Sequence, residues 1–143
     1  MELKLKAVSP RLGADLPLPF YASAGAAGMD LCACLDTPLT LAPHQIARIP
    51  TGLAIALPSA DYVALVFARS GLGIKHGVAL ANGVGVIDSD YRGGIQVGLI
   101  NQSDTPYTIA PGERIAQLAV LPVVRPDLTW VDTLDETERG AGG

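Results

Sequence analysis

Sixteen glycines and eleven prolines are spread along the whole chain rather than gathered in a linker. No stretch between them holds a capped amphipathic helix of three turns. Proline removes a backbone donor and glycine costs helical stability, so punctuation this dense confines the chain to short elements. Between the breaks lie runs in which apolar residues alternate with polar or small ones: LKLKAV, GMDLCACL, TGLAIALP, DYVALVFA, GGIQVGLINQ and RIAQLAVLPV. Alternation with a period of two, bounded by turn residues, reads as strand. Only RSGLGIKHG leaves room for one short helical turn. Many short strands with no internal repeat predict an all-β barrel or sandwich with at most one short helix.

The 143 residues suit one domain with a real core. Charged residues make up only 17% and apolar residues 49%, against roughly 25% charged in ordinary soluble domains. So few charges cover a monomer poorly, which predicts a large subunit interface. A net charge of −4 argues against a nucleic-acid partner and leaves room for a small polyphosphate held by a few arginines. Cys32 and Cys34 are the only cysteines. Two residues apart on a strand, they point the same way, which is poor geometry for a bridge. His44 and His76 are too distant in sequence to complete a zinc set with them. Two reduced, half-buried thiols and a cytoplasmic location follow. The opening MELKLKAV has no apolar leader core, and no uninterrupted apolar run approaches a membrane span, so no membrane partner is expected. After Trp130 the chain turns acidic and glycine-rich. This divides it into one β domain over 1–131 and a mobile C-terminal arm over 132–143.

The stretch GVGVIDSDYRGGIQV, residues 83–97, alternates like a strand and then breaks. DSDYRGG has the composition of a hairpin turn. Asp88, however, falls where the alternation Val84, Val86, Asp88 predicts an inward-facing apolar residue. A carboxylate there is costly unless something needs it. Three other polar clusters interrupt the strands: AGMDL (27–31), ARSGLG (68–73) and PGERIAQ (111–117). Arg69, Ser70 and Gly71 supply a cation, a hydroxyl and an open amide, which suits phosphate oxygens and equally suits an ordinary surface turn. Asp30 fits a turn or a supporting carboxylate, and Gln117 fits interface hydrogen bonding. Glu113 and Arg114 fit a solvated edge, and Tyr91 fits cross-strand packing. No Walker, nucleophile-elbow or zincin motif is present.

Taken in order, AGMDL, ARSGL, NGVGVIDSDYRG, GERIAQ and ERGAGG resemble the five motifs of the trimeric deoxyuridine triphosphatases (dUTPases), from Ala27 to Gly143. The frame N-x-x-G-x-I-D-x-x-Y-R-G is intact. The resemblance implies a homotrimer of jelly-roll-like β subunits, with active sites between chains that cleave dUTP to dUMP and pyrophosphate. It implies that Asp88 deprotonates the attacking water. Asn82, Gly83, Val86, Ile87 and Gln96 are implied to line a uracil slot formed by the hairpin, with Gly83 and Gly85 admitting close backbone approach. Tyr91 is implied to lie under the deoxyribose, and Arg69, Ser70, Gly71 and Gln117 to hold the phosphates. Arg139 would reach the γ-phosphate from a neighbouring tail, and Asp30 would stand behind the direct contacts. Mg²⁺ would ride on phosphate oxygens and water, with no direct protein ligand.

The family's fifth motif continues past ERGAGG with an aromatic residue and a Gly-Ser-Thr-Gly-like run. Without that lid, trimer and binding are expected to survive while turnover falls. A dCTP deaminase, which shares the fold, would need its catalytic Glu where this chain has Gly98. A third reading is a catalytically weak nucleotide-binding trimer with a regulatory protein partner; a purely structural, silent trimer would have no need of Asp88, Arg69, Ser70 and Tyr91 together.

Overall fold

A computed structural model describes residues 1–142. The alternating runs emerge as β1 (Lys4–Ala7), β3 (Met29–Cys32), β6 (Leu53–Ala56), β7 (Tyr62–Ala68), β10 (Gln96–Asn101) and β12 (Arg114–Pro122). Between them lie strands of two to five residues: β2 (Phe20–Tyr21), β4 (Leu39–Leu41), β5 (Ile46–Pro50), β8 (Val78–Leu80), β9 (Gly85–Ile87) and β11 (Tyr107–Ile109). One helix, α1 (Ser70–His76), follows β7 directly. The expected all-β, jelly-roll-like architecture with a single short helix is what the chain adopts. Gly77 stops α1 in the left-handed region at φ 68°, and Lys75 and His76 sit in the last turn where cations favour the helix dipole.

Every strand pairing is antiparallel. The largest sheet runs β2-β3-β12-β7-β9, a second runs β5-β10-β8, and β1–β6 and β4–β11 are two-stranded. Ile115, Ala116 and Leu118 of β12, Leu31 of β3, and Ile49, Val97 and Leu99 of the second sheet are all at most 1% exposed and belong to one core. Each large apolar side chain buried this way contributes about 1.5–3 kcal/mol. One polar side chain is fully enclosed among them. Asn101 donates through Nδ2 to the carbonyls of Leu41 (3.1 Å) and Thr105 (2.8 Å), and its Oδ1 accepts from the amide and hydroxyl of Ser103. It ties β10 to β4 and to the turn before β11. Cys32 is buried, Cys34 half-buried, and both thiols are free.

Glu113 is not the solvated edge residue that its sequence context suggests. The turn Ala110–Glu113 contains Gly112 at φ 76°, and the Glu113 carboxylate closes it by accepting from the Ala110 amide (2.9 Å) and the Tyr107 hydroxyl. Beyond β12 the Val123 amide donates to the Asp61 carbonyl. Every residue from 121 to 142 is exposed, including Leu128, Trp130 and Leu134. Gly143, the last residue of the ERGAGG stretch, lies outside the described residues.

Burial, and then the bond to Glu113, push the Tyr107 hydroxyl up to about 12. A pKa raised on folding adds stability that is complete below the unfolded value near 10 and lost as pH climbs toward 12. Urea midpoints taken from about pH 9 to about pH 11.5 are therefore expected to fall more steeply for the native chain than for Tyr107→Phe.

Candidate active site

The strand order places one buried carboxylate between two arginines. β12 lies between β3 and β7. Asp30 sits on β3, Arg69 just beyond the end of β7, and Arg114 at the start of β12. Asp30 is 6% exposed. Its Oδ1 accepts from Arg69 Nε at 3.0 Å and its Oδ2 from Arg114 Nη1 at 3.1 Å. Arg69 Nη1 also donates to the Arg114 carbonyl at 3.0 Å, and Gln117 Nε2 donates to the Ala68 carbonyl at 3.0 Å.

Asp30 is the register partner of Gln117, so the two share a face. Arg114 is three residues from Gln117 and would lie on the opposite face of a regular strand. A register shift between Arg114 and Ala116 turns it back. Arg114 remains exposed, as an edge residue would be, but is also brought into the wall of a hollow.

With Gly28 and Ser70 these side chains line a hollow of about 280 Å³. Two guanidiniums against one carboxylate leave it a net positive charge. The amides of Ser70 and Gly71, first in the helix, have no acceptor among the described residues. The arrangement suits an anion with several oxygens. Gly71 contributes no wall to the hollow, and a Cβ there would meet nothing within 4 Å.

The second cluster corrects the reading of residues 83–97 as a hairpin. β9 pairs with β7, while β10 pairs with β5 and β8, so the loop 88–95 crosses between two sheets. The unpaired space between β9 and β10 is a cleft of about 450 Å³, with Asn82, Val86, Ile87, Asp88, Tyr91 and Gln96 in its walls.

The phase of β9 is also the reverse of that expected. Ile87 is the core residue at 8% exposure, whereas Val84, Val86 and Asp88 are exposed. Gly85 and Ile87 turn inward because Gly85 packs on β7: a Cβ there would lie 3.1 Å from Val66 Cβ. Asp88 therefore incurs no burial penalty and faces the cleft as a free carboxylate, with no ion-pair partner among the described residues. Gly83 serves the turn that enters β9, at φ 74°.

The crossing loop is braced internally. Tyr91 donates through its hydroxyl to the Gly94 carbonyl at 3.2 Å, over Gly93, where any Cβ would collide with the phenol. Arg92 donates to the carbonyls of Ser89 and Tyr91. Arg48 of β5 also reaches the cleft wall, and nothing in the motif pattern marks it. Arg139 lies in the exposed arm and donates to the Gly142 carbonyl, away from both clusters. The two hollows share no lining residue. No group of three or more His, Cys, Asp or Glu side chains could hold a metal among the described residues.

A dUTPase family profile matches residues 14–143. The chain belongs to the dUTPase family. It is 50% identical over 142 residues to the deoxyuridine 5'-triphosphate nucleotidohydrolase of Serratia proteamaculans, covering 99% of this chain and 93% of that one. It is 56% identical over 141 residues to the protein of that name from Desulfitobacterium hafniense, with the same coverage. Among solved structures, the dUTPase of Staphylococcus bacteriophage 80alpha with dUpNHpp superposes with a TM-score of 0.86 at 26% identity, covering 99% of this chain and 95% of that one. A variant dUTPase of phage phi11, which coordinates a structural Mg(II) ion, superposes at 0.81 with 22% identity, over 95% of this chain and 100% of that one. That second likeness shows the fold alone.

In this dUTPase-family chain the Asp30 charge is the link between two strands and two guanidiniums. Asp30→Asn keeps the shape but turns an amide donor toward a donor. Loss of about 1–3 kcal/mol of unfolding free energy is expected, read from urea midpoints at fixed protein concentration.

Proposed function

We propose that the chain hydrolyses dUTP to dUMP and pyrophosphate in a site completed by more than one subunit of a homotrimer. The observation that carries this reading is Asp88: an unpaired carboxylate in the wall of a cleft large enough for a nucleoside. In this reading uracil enters between β9 and β10, beside Asn82, Gly83, Val86, Ile87 and Gln96, and the deoxyribose rests on Tyr91. Asp88 takes a proton from a water as that water attacks the α-phosphorus. The bond from this phosphorus to the bridging oxygen breaks, pyrophosphate leaves, and the proton passes from Asp88 to solvent. A positioned general base contributes about 10²–10⁴-fold.

Arg69, Ser70, the Gly71 amide and Gln117 hold the triphosphate, and Arg139 closes on its far end. Fixed donors aimed at oxygens that gain charge supply the largest share of the acceleration. The cationic hollow and the base cleft share no wall within one chain, which supports a site assembled from neighbouring subunits. The 17% charge content and the exposed apolar arm support the same assembly.

Asp30 has both carboxylate oxygens committed to arginines, so it acts behind the direct contacts and is not free to ligate a metal. The donor set fits Mg²⁺ held by the phosphate oxygens and water rather than by side chains; bound there, it would supply charge neutralisation at the leaving pyrophosphate. Free thiols at Cys32 and Cys34, and the lack of any helix long and apolar enough to cross a membrane among the described residues, fit a cytoplasmic enzyme.

The test is pyrophosphate release from dUTP with Mg²⁺, run beside dCTP and dTTP, together with the mass in solution. Turnover of dUTP alone by a particle of about three chains is expected. Asp88→Asn is expected to lose at least about a hundredfold in kcat while still binding dUTP. Undiminished turnover by that variant, or no dUTP binding by the native chain, overturns the reading.

A further inference from the structure

Two charged side chains line the base cleft: Asp88 and Arg48. Asp88 has a role in the chemistry above, and Arg48 has none. Arg48 is exposed and has no carboxylate partner among the described residues. It is the register partner of Gly98 across the β5–β10 ladder. Residues directly opposite in an antiparallel pair project from the same face. Gly98 also lines the cleft, so its bare backbone and the Arg48 side chain border the same space. That space is empty of protein: a Cβ on Gly98 would meet only Ala81 Cβ, at 4.0 Å.

The position along the cleft gives Arg48 its chemistry. The crossing loop carries Asp88 and Tyr91, the end where sugar and phosphate must lie. Gly98 is two strand residues beyond Gln96, about 7 Å further from that loop. A pyrimidine attached to its sugar through N1 points its 4-position away from the sugar, toward Gly98 and Arg48.

We propose that Arg48 is a base-selecting residue whose guanidinium donates a hydrogen bond to the 4-oxygen of uracil. This rests on the reading of the cleft as the uracil slot. A guanidinium has donors and no acceptor. It therefore matches a 4-oxo group and opposes the 4-amino group of cytosine, whose own hydrogens face it. It also disfavours protonation of a cytosine ring, so the cleft is hostile to deamination at the position where Gly98 already lacks an acid. The donor is added to whatever the main chain offers the same edge.

The test is a two-by-two binding cycle by calorimetry. dUMP and its 2-pyrimidinone analogue, which lacks the 4-oxygen, are titrated into the native chain and into Arg48→Ala. Arg48→Met, which keeps the apolar stem, is run in parallel. Loss of the 4-oxygen is expected to weaken binding about tenfold more in the native chain than in either variant. Binding of dCMP is expected to stay level or improve in the variants.

Equal losses in native and variant chains overturn the proposal. So does dissociation of both variants into smaller particles by light scattering, which would assign Arg48 to a subunit contact. Hydrolysis of dUTP by the native chain separates the two levels. Where hydrolysis is intact and the cycle shows no coupling, only the role of Arg48 fails. Where hydrolysis and dUMP binding are both absent, the reading of the cleft fails with it.

Discussion

The seven-pair ladder between β7 and β12 is the contact on which both halves of the site depend. Its end at Ala68 and Ala116 delivers Arg69 beside Arg114, and the next strand over supplies Asp30 to hold them. The other edge of β7 carries β9, and with it Ile87 and the start of the Asp88 loop. One strand thus positions the cationic hollow at its end and one wall of the base cleft along its side. The apolar surface of β12 anchors this ladder, with Ile115, Ala116 and Leu118 almost fully buried. The polar residues at the site are rigid because the strands beneath them are.

Electrostatics at the two hollows follow opposite logics. In the cationic hollow a single buried carboxylate serves two guanidiniums, so the cluster is internally braced yet keeps a surplus positive charge for an anion. Removing one partner of such a group leaves the rest uncompensated, which is why the cluster behaves as a unit. In the cleft, Asp88 and Arg48 have no ion-pair partner among the described residues. An unpaired carboxylate near solvent keeps its oxygens free to accept a hydrogen bond from a water. Charges are paired in the cationic hollow and left free in the cleft.

How far the sequence reaches can be judged from individual residues. The six long alternating runs are legible because a period of two sustained over five or more residues fits little besides a strand. The three-residue strands β4, β8 and β11 carry too little pattern to register. The frame around Asp88 marks the residue, but the alternation assigns it the wrong face. Val84 and Val86 look like core residues, yet Gly85 and Ile87 occupy the core because Gly85 fits against Val66. Arg114 reads as an edge residue because its role needs a bulge and a neighbouring strand, neither of which local sequence encodes. The crossing of loop 88–95 between sheets is hidden for the same reason: hairpins and crossovers use the same turn residues.

The free edge of β9 explains why these features occur together. An edge strand exposing Val84 and Val86 invites pairing with another chain. This chain leaves that edge open because closing it with β10 would fill the cleft. The connection must then be a long crossing loop, held by internal bonds from Tyr91 and Arg92 rather than by a ladder. The glycine at 93 follows from that bracing, since the phenol lies where a side chain there would be. An open edge, a braced loop and a bare Gly98 opposite an arginine go together with a cleft held open between two sheets.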